Sequence, residues 1–467
     1  MDARGIAVRV DQIWDDDVLP ALQDYIRIPN LSPMFDPNWD KNGHMGRAVE
    51  AFEKWASARP INGMSVRTEE IEGRTPVLVV EVPGAGTRDV LLYGHLDKQP
   101  PMTGWRDGLS AFEPVREGER LYGRGGADDG YAMFAALTAI EALQHAGGDH
   151  GRCVVLIEAS EESGSPDLPA HVGALADTIG IPDLVVCLDS GCATYDRLWL
   201  TTSLRGLVGV ELTVRVLDEG AHSGAAGGVV PSSFRVLRQL LSRVEDDLTG
   251  RILVPELHVE VSPGREEEIV TAADELGTAA GGTFAMISEM VGAGDPARQL
   301  RARTWEPSMA VVGMDGIPPV ASAGNVLRPF TTAKLSFRIP PTCDPATAAD
   351  ALERVLSADP PHSAQVTIDI GDIGSGWESP PLEPWLAHAV DEASRAAFGE
   401  PARAMGEGGT IPFMGMLGAQ FPDAQFVITG MLGPGANAHG PNEFLHVPMA
   451  KGVTTAVAHL LHVHANR

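Results

Sequence analysis

VLLYGHLDKQP (90–100) passes from four apolar residues straight into Gly94-His95-Leu96-Asp97. Its apolar half is too short for a helix, and it has the form of a strand buried on both faces. VLVVEV (77–82), CVVLIEA (153–159), LVVCL (184–188) and QFVIT (425–429) share that form. Between 90–93 and 153–159 the pattern predicts a helix, Asp129 to His145, and a later one covers Trp385 to Phe398. Two more precede the sheet, Asp11 to Arg27 (interruptible at Pro20) and Gly46 to Ala58. Strands alternating with helices predict an α/β unit around a mainly parallel sheet.

Working outward, four of these runs lead into polar residues. His95 and Asp97 follow the first; GRGGADDG (123–130) then sets Asp128 and Asp129 at a helix start. Glu161-Glu162 follow CVVLIEA, Asp189 follows LVVCL, and a Gly-rich loop with His439 follows QFVIT. A parallel sheet gathers such loops at one edge, where ligands of open α/β sheets bind. Taken singly, each cluster has a plain structural reading: Asp128 and Asp129 cap a helix, and Glu161-Glu162 are a solvated pair. GRGG lacks the spacing of a dinucleotide loop. Together they assemble imidazoles and carboxylates, a donor set suited to zinc and also to manganese or cobalt. Six such groups exceed what one tetrahedral ion takes but fit two ions sharing a bridging carboxylate.

From Gly206 the texture changes. LVGVELTVRV (207–216), a helix over 231–246, MAVVGM (309–314), AKLSFRI (333–339), a helix from Asp344 to Leu356 and QVTIDI (365–370) spell β-α-β-β-α-β, a ferredoxin-like pattern. The larger unit thus occupies 1–205 and 375–467, and the smaller is inserted over 206–374. Within it, 250–307 reads as an extra insertion with a Glu-rich helix and a Gly-rich part. In AKLSFRI, Arg338 alternates with the apolar positions and so projects from the unburied face, free for a bidentate carboxylate contact.

The 467 residues carry a net charge of −28, which disfavours nucleic acid and anionic membranes as partners. The N-terminus MDARGIAVRVDQIWDDD is acidic where a signal peptide is apolar, and no run reaches the ~20 apolar residues of a membrane span. Four cysteines without a CxxC pair fit reduced thiols in a cytoplasmic protein.

These motifs resemble the dipeptidase, aminoacylase and carboxypeptidase G family of co-catalytic di-zinc metallopeptidases, nearest to carnosinase-like cytosolic dipeptidases. The resemblance runs through YGHLDKQP (93–100), LYGRGGADDG (121–130), EASEESGS (158–165), CLDSG (187–191), SLRG (203–206), AHSG (221–224), LSFRIPP (335–341), GEGGTIP (406–412) and NAHGPNE (437–443). It implies a homodimer with a lid or dimerisation domain, and two ions per chain. One ion would take His95 and Asp189, the other Glu162 and His439, with Asp128 bridging. It implies further that Asp97 orients His95, that Glu161 is the general base, and that His222 reaches across the dimer to the scissile carbonyl. Arg338 would bind the substrate carboxylate, aided by the loop of Gly408, Gly409 and Thr410. Hydrolysis of a dipeptide or short peptide is the leading expectation. An N-acyl-amino-acid amidohydrolase and a catalytically dead binding homologue are the alternatives. Two departures border the site: Gly130 stands where relatives place Lys, and Lys98 where Val is frequent.

Overall fold

The computed structural model describes residues 3–86, 88–282 and 294–467. A six-stranded sheet runs Ser65–Glu69, Val77–Val82, Arg152–Glu158, Asp89–His95, Leu184–Cys187 and Gln425–Ile428 from edge to edge. The last four are mutually parallel. Val77–Val82 departs from the parallel expectation: it pairs antiparallel with Arg152–Glu158 and with Ser65–Glu69.

Alternation along these strands makes two cores. Val90 and Leu92, Val155 and Ile157, Leu184 and Val186 face one side, beneath the helices Tyr131–His145, Pro384–Phe398 and Val447–Ala465. Leu91 and Tyr93, Val154 and Leu156, Val185 and Cys187 face the other, against Leu168–Ala174 and Pro412–Gln420. Burial on both faces is why these runs are apolar throughout. The N-terminal helix extends from Ala3 to Ile26, and its irregular turn, Trp14–Val18, lies just before Pro20.

Gly206–Arg215, Ser308–Asp315, Phe330–Ile339 and Gln365–Gly374 form a separate antiparallel sheet in spatial order second, third, first, fourth, the ferredoxin-like order. Helices Ser233–Leu241 and Pro345–Ser357 cover one face, and Asp344 caps the latter by accepting the Thr347 N–H at 2.8 Å. Arg338 lies on the opposite face, as its alternation requires.

Three differences from the sequence reading bear on the site. The helix begins at Tyr131 rather than Asp129, because Asp128 and Asp129 have non-helical backbones in a tight turn, Gly126–Gly130. Trp199–Leu204 and Arg403–Glu407 are strands of a further three-stranded sheet that their polar residues concealed. Of the segment assigned to the smaller unit as an insertion, Ile252, Val254 and Leu257 enter the smaller core, but the helices that follow pack on the larger unit. From helices Pro263–Leu276 and Pro296–Trp305, the side chains of Ile269, Ala272, Ala273, Leu300 and Trp305 enter the larger core. Arg197 pairs with Glu275 at 2.9 Å and Arg265 with Glu378 at 3.1 Å, fastening them there. Residues 283–293, within the Gly-rich part of that segment, lie outside the described residues.

Candidate metal centre

The parallel strands deliver their polar residues to one edge. His95 ends its strand fully buried; Glu161 and Glu162 open the short turn after Arg152–Glu158; Asp189 follows Leu184–Cys187. Asp128 comes in from the Gly126–Gly130 turn and His439 from the loop after Gln425–Ile428. Asp128 faces two ways. Its Oδ1 lies 3.4 Å from His95 Nε2, and its Oδ2 lies 3.1 Å from His439 Nε2. Asp189 stands on the His95 side at 3.7 Å, and Glu162 on the His439 side at 3.3 Å. Glu161 is 4.0 Å from His95 Nε2, farther than either neighbour, and its side chain is 12% exposed against 3% for Glu162.

Asp97 does more than the sequence implied. It lies 3.4 Å from His95 Nδ1, and its two oxygens accept the backbone N–H groups of Glu161 and Glu162 at 3.1 and 3.0 Å. One buried carboxylate therefore sets both the imidazole and the glutamate pair. Asp129 turns away from the centre, its Oδ2 accepting the His95 N–H at 3.2 Å. Gln99 donates to Glu162 at 2.7 Å.

The His439 loop is tied to the Asp128 loop by a pair not foreseen in the sequence, Arg124 and Glu443. They form a fully buried ion pair, Arg124 also donates to Gly440 O at 2.7 Å, and Glu443 accepts the Gly125 N–H at 2.9 Å. The departures have local causes. A Cβ on Gly130 would stand 2.2 Å from the Tyr25 ring, so no lysine fits. Lys98 is fully buried and faces away from the centre, donating to the carbonyls of Tyr25, Ile26 and Ile28 at 2.9, 3.3 and 2.7 Å.

The electrostatics call for a cation. Asp128, Glu161, Glu162 and Asp189 crowd around two imidazoles. Burial, aided by the neighbouring carboxylates, raises Glu161 and Glu162 and pushes Asp189 up to about 7. Burial acts the same way on Asp128, but the close His439 and His95 imidazoles prevail and hold it below the usual range. The acids in turn lift His95 well above the ordinary imidazole value and His439 to about 11, against the effect of burial. His95 Nε2 and Glu162 Oε1 are buried with no hydrogen-bond partner. Such atoms are costly unless something binds them. The donor atoms of His95, Glu161 and Asp189, and those of His95, Asp128 and Glu162, lie within 4.8 Å of one another. A divalent ion among nitrogen and oxygen donors answers both the charge and the unpaired atoms.

A cavity of about 210 Å³ opens on this centre, lined by Asp128, Glu161, Asp189 and His439 together with Glu407, Gly409 and Thr410. Thr410 connects outward: its hydroxyl accepts from Arg338 at 3.0 Å. Gly408 gives its carbonyl to Arg205 at 3.2 Å. His222 is not gathered in. It is exposed, on the short strand Ala221–His222, and accepts the Gly224 N–H at 3.1 Å. Glu407 lies in the GEGGTIP loop expected at the substrate carboxylate but was not singled out there; it ends the strand Arg403–Glu407 and lines this cavity.

Comparison with known proteins agrees with the geometry. The cysteinylglycine-S-conjugate dipeptidase of Corynebacterium striatum is 29% identical over 422 residues, 86% of this chain and 88% of that protein. Human beta-Ala-His dipeptidase is 27% identical over 363 residues, 73% of this chain and 68% of its own. Human carnosine dipeptidase 1 shares the fold with a TM-score of 0.76 at 20% identity, covering all of both chains. An M20 family metallo-carboxypeptidase from Sulfolobus solfataricus shares it at 0.78 and 20% identity, over 97% of this chain and 100% of that one. The profile of Peptidase family M20/M25/M40 matches residues 91–222 and 253–463. The chain belongs to that family and is a metallopeptidase.

Proposed function

We propose that the enzyme hydrolyses dipeptides bearing a free amino terminus. The observation carrying this reading is the half-buried Glu407 carboxylate, which lines the same cavity as Glu161 and Asp189. A carboxylate there suits a substrate ammonium and disfavours the neutral acyl group of an N-acyl amino acid. The relatives named as dipeptidases support the same choice. With purified, metal-loaded protein, Ala-Gly is expected to be cleaved and its N-acetyl derivative to be cleaved at least tenfold more slowly. Faster cleavage of the acetylated compound would transfer the assignment to the amidohydrolase alternative.

In this reading the centre holds two divalent ions, zinc by its donors, with His95 and Asp189 at one, Glu162 and His439 at the other, and Asp128 shared. The ions would acidify a water and polarise the amide carbonyl. Glu161 takes the water's proton on a carboxylate oxygen and passes it to the leaving amine. Its more open side chain and greater distance from His95 support a base over a ligand. Asp97 keeps His95 and the Glu161-Glu162 turn in place. Arg338, steadied by Thr410, receives the substrate carboxylate, and Gly408, Gly409 and Thr410 shape that wall. We divide the chain at 205/206 and 374/375, with residues 263–305 as an appendage of the larger unit.

We also assign a homodimer. The outermost strand of the smaller sheet, Ser308–Asp315, exposes Val311, Val312 and Met314, an apolar edge suited to a second copy. His222, exposed and outside its own centre, would then serve the partner's by stabilising the oxyanion. Glu161→Ala and His222→Ala proteins, each inactive alone, are expected to regain activity when co-assembled, since one centre in each mixed dimer is complete. Verified mixed dimers without recovery would remove His222 from the chemistry. Among the described residues no helix is long and apolar enough to cross a membrane. Four buried, free cysteines support a reducing, cytoplasmic setting.

A further inference from the structure

A second cavity, of about 290 Å³, adjoins the first and shares Gly191, Glu407 and Leu432 with it. Among the described residues its other lining is largely apolar, including Leu276, Met405 and Pro434, with one cation, Arg303. Leu276 and Arg303 come from the two helices that pack on the larger unit, so the side cavity is a product of that appendage.

Arg303 is half-buried and, among the described residues, makes no side-chain hydrogen bond or ion pair. Its helical companions are committed: Arg265 pairs with Glu268 and Glu378, and Arg301 with Glu266 and Glu306. Two more guanidinium groups lie close, and both are engaged. Arg205 donates to the carbonyls of Gly408 and Glu306 and to the Ser308 hydroxyl, and Arg338 donates to Thr410. Burial, with Arg338 and Arg303 adding repulsion, pushes Arg205 down to about 10. Arg303 is also the cation whose charge acts on Glu407, and the two line the side cavity together without a hydrogen bond between them. A sequestered guanidinium with five donors and no acceptor is a site for an anion.

Resting on the dipeptidase reading, we propose that the side cavity receives the amino-terminal residue of the substrate and selects one that carries a carboxylate besides its ammonium. Glu407 takes the ammonium and Arg303 the carboxylate. Both an α-linked glutamyl residue and a γ-linked one present this pair of charges, and the cavity volume accommodates either. Glutamine is the same shape without the charge, which makes it the reference.

The test uses the full-length, metal-loaded protein. Glu-Gly or γ-Glu-Gly is expected to exceed Gln-Gly in kcat/KM by about ten- to a hundredfold, the worth of a charge-assisted hydrogen bond. The more favoured of the two names the linkage. Arg303→Met collapses that ratio to about one, whereas Arg303→Lys keeps part of it. Calorimetric titration with free glutamate and glutamine reads the same preference without catalysis. Cleavage of none of the three peptides, with an Arg303-dependent preference for glutamate, would end the dipeptidase reading and leave the anion site standing. A ratio that persists in Arg303→Met, or no preference for the charged member in either assay, overturns the inference.

Discussion

Glu161→Gln is expected to lower kcat by about 10²–10⁴-fold while leaving metal content and substrate binding near those of the parent. The amide preserves the shape and the turn, whose position is fixed by the backbone N–H bonds to Asp97 rather than by the glutamate side chain. What it removes is a basic oxygen able to take a proton. Glu162→Gln should show the opposite pattern. Its carboxylate is nearly closed to solvent, 3.3 Å from His439, and receives the Gln99 amide. Weakening it should lower metal affinity first, so added metal should restore part of the rate. Elemental analysis beside kinetics at graded metal concentrations separates the two. Rescue of Glu161→Gln by metal, with Glu162→Gln inactive at every concentration, would exchange their roles.

Asp128→Ala should be harsher, because its two oxygens serve two half-sites at once. The expected result is loss of both ions together. An Asp189→Ala protein should instead part with one ion more readily than the other. The protein itself is expected to stay folded. Asp128 sits in a turn held by Gly130 N–H to Gly125 O at 3.0 Å and by the Arg124–Glu443 pair, neither of which needs its side chain. Two tightly held metals in Asp128→Ala, measured by mass spectrometry of the intact protein, would contradict the bridging role.

The central strands were legible because both of their faces are buried, and composition alone marks such segments. WLTTSL, at 199–204, is just as buried, but its threonines are satisfied by internal partners, Thr201 by Ser190 at 2.6 Å and Thr202 by Glu268. Composition therefore did not mark it as a strand. Arg403–Glu407 carries no β-branched residue at all and owes its form to pairing with that strand. The metal-type donors were readable because all but Asp128 follow a buried strand, where a polar side chain needs a reason. Arg124 and Glu443 were not, since 319 residues separate them and neither looks unusual in its own loop. Nor could the attachment of 263–305 be read. An amphipathic helix shows that it has a core to cover but not which core, and only the contacts of Ile269, Leu300 and Trp305 decide it.

That attachment changes what the smaller unit is mechanically. A simple insertion is joined by two neighbouring strands of chain, like a flag on a pole, and can twist as well as swing. Here the described chain leaves the larger unit near Gly206, returns to lay down the helix from Pro263, departs again after Trp305 and comes back after Gly374. Four connections spread over a width act as a strap, which bends easily about one axis and resists torsion. The threading also forbids treating 206–374 as a separable cassette. Cutting it out in one piece would pull Ile269, Leu300 and Trp305 from the interior of the part left behind, whereas a swap that exchanges 206–262 and 306–374 and keeps the helices between would leave that interior filled.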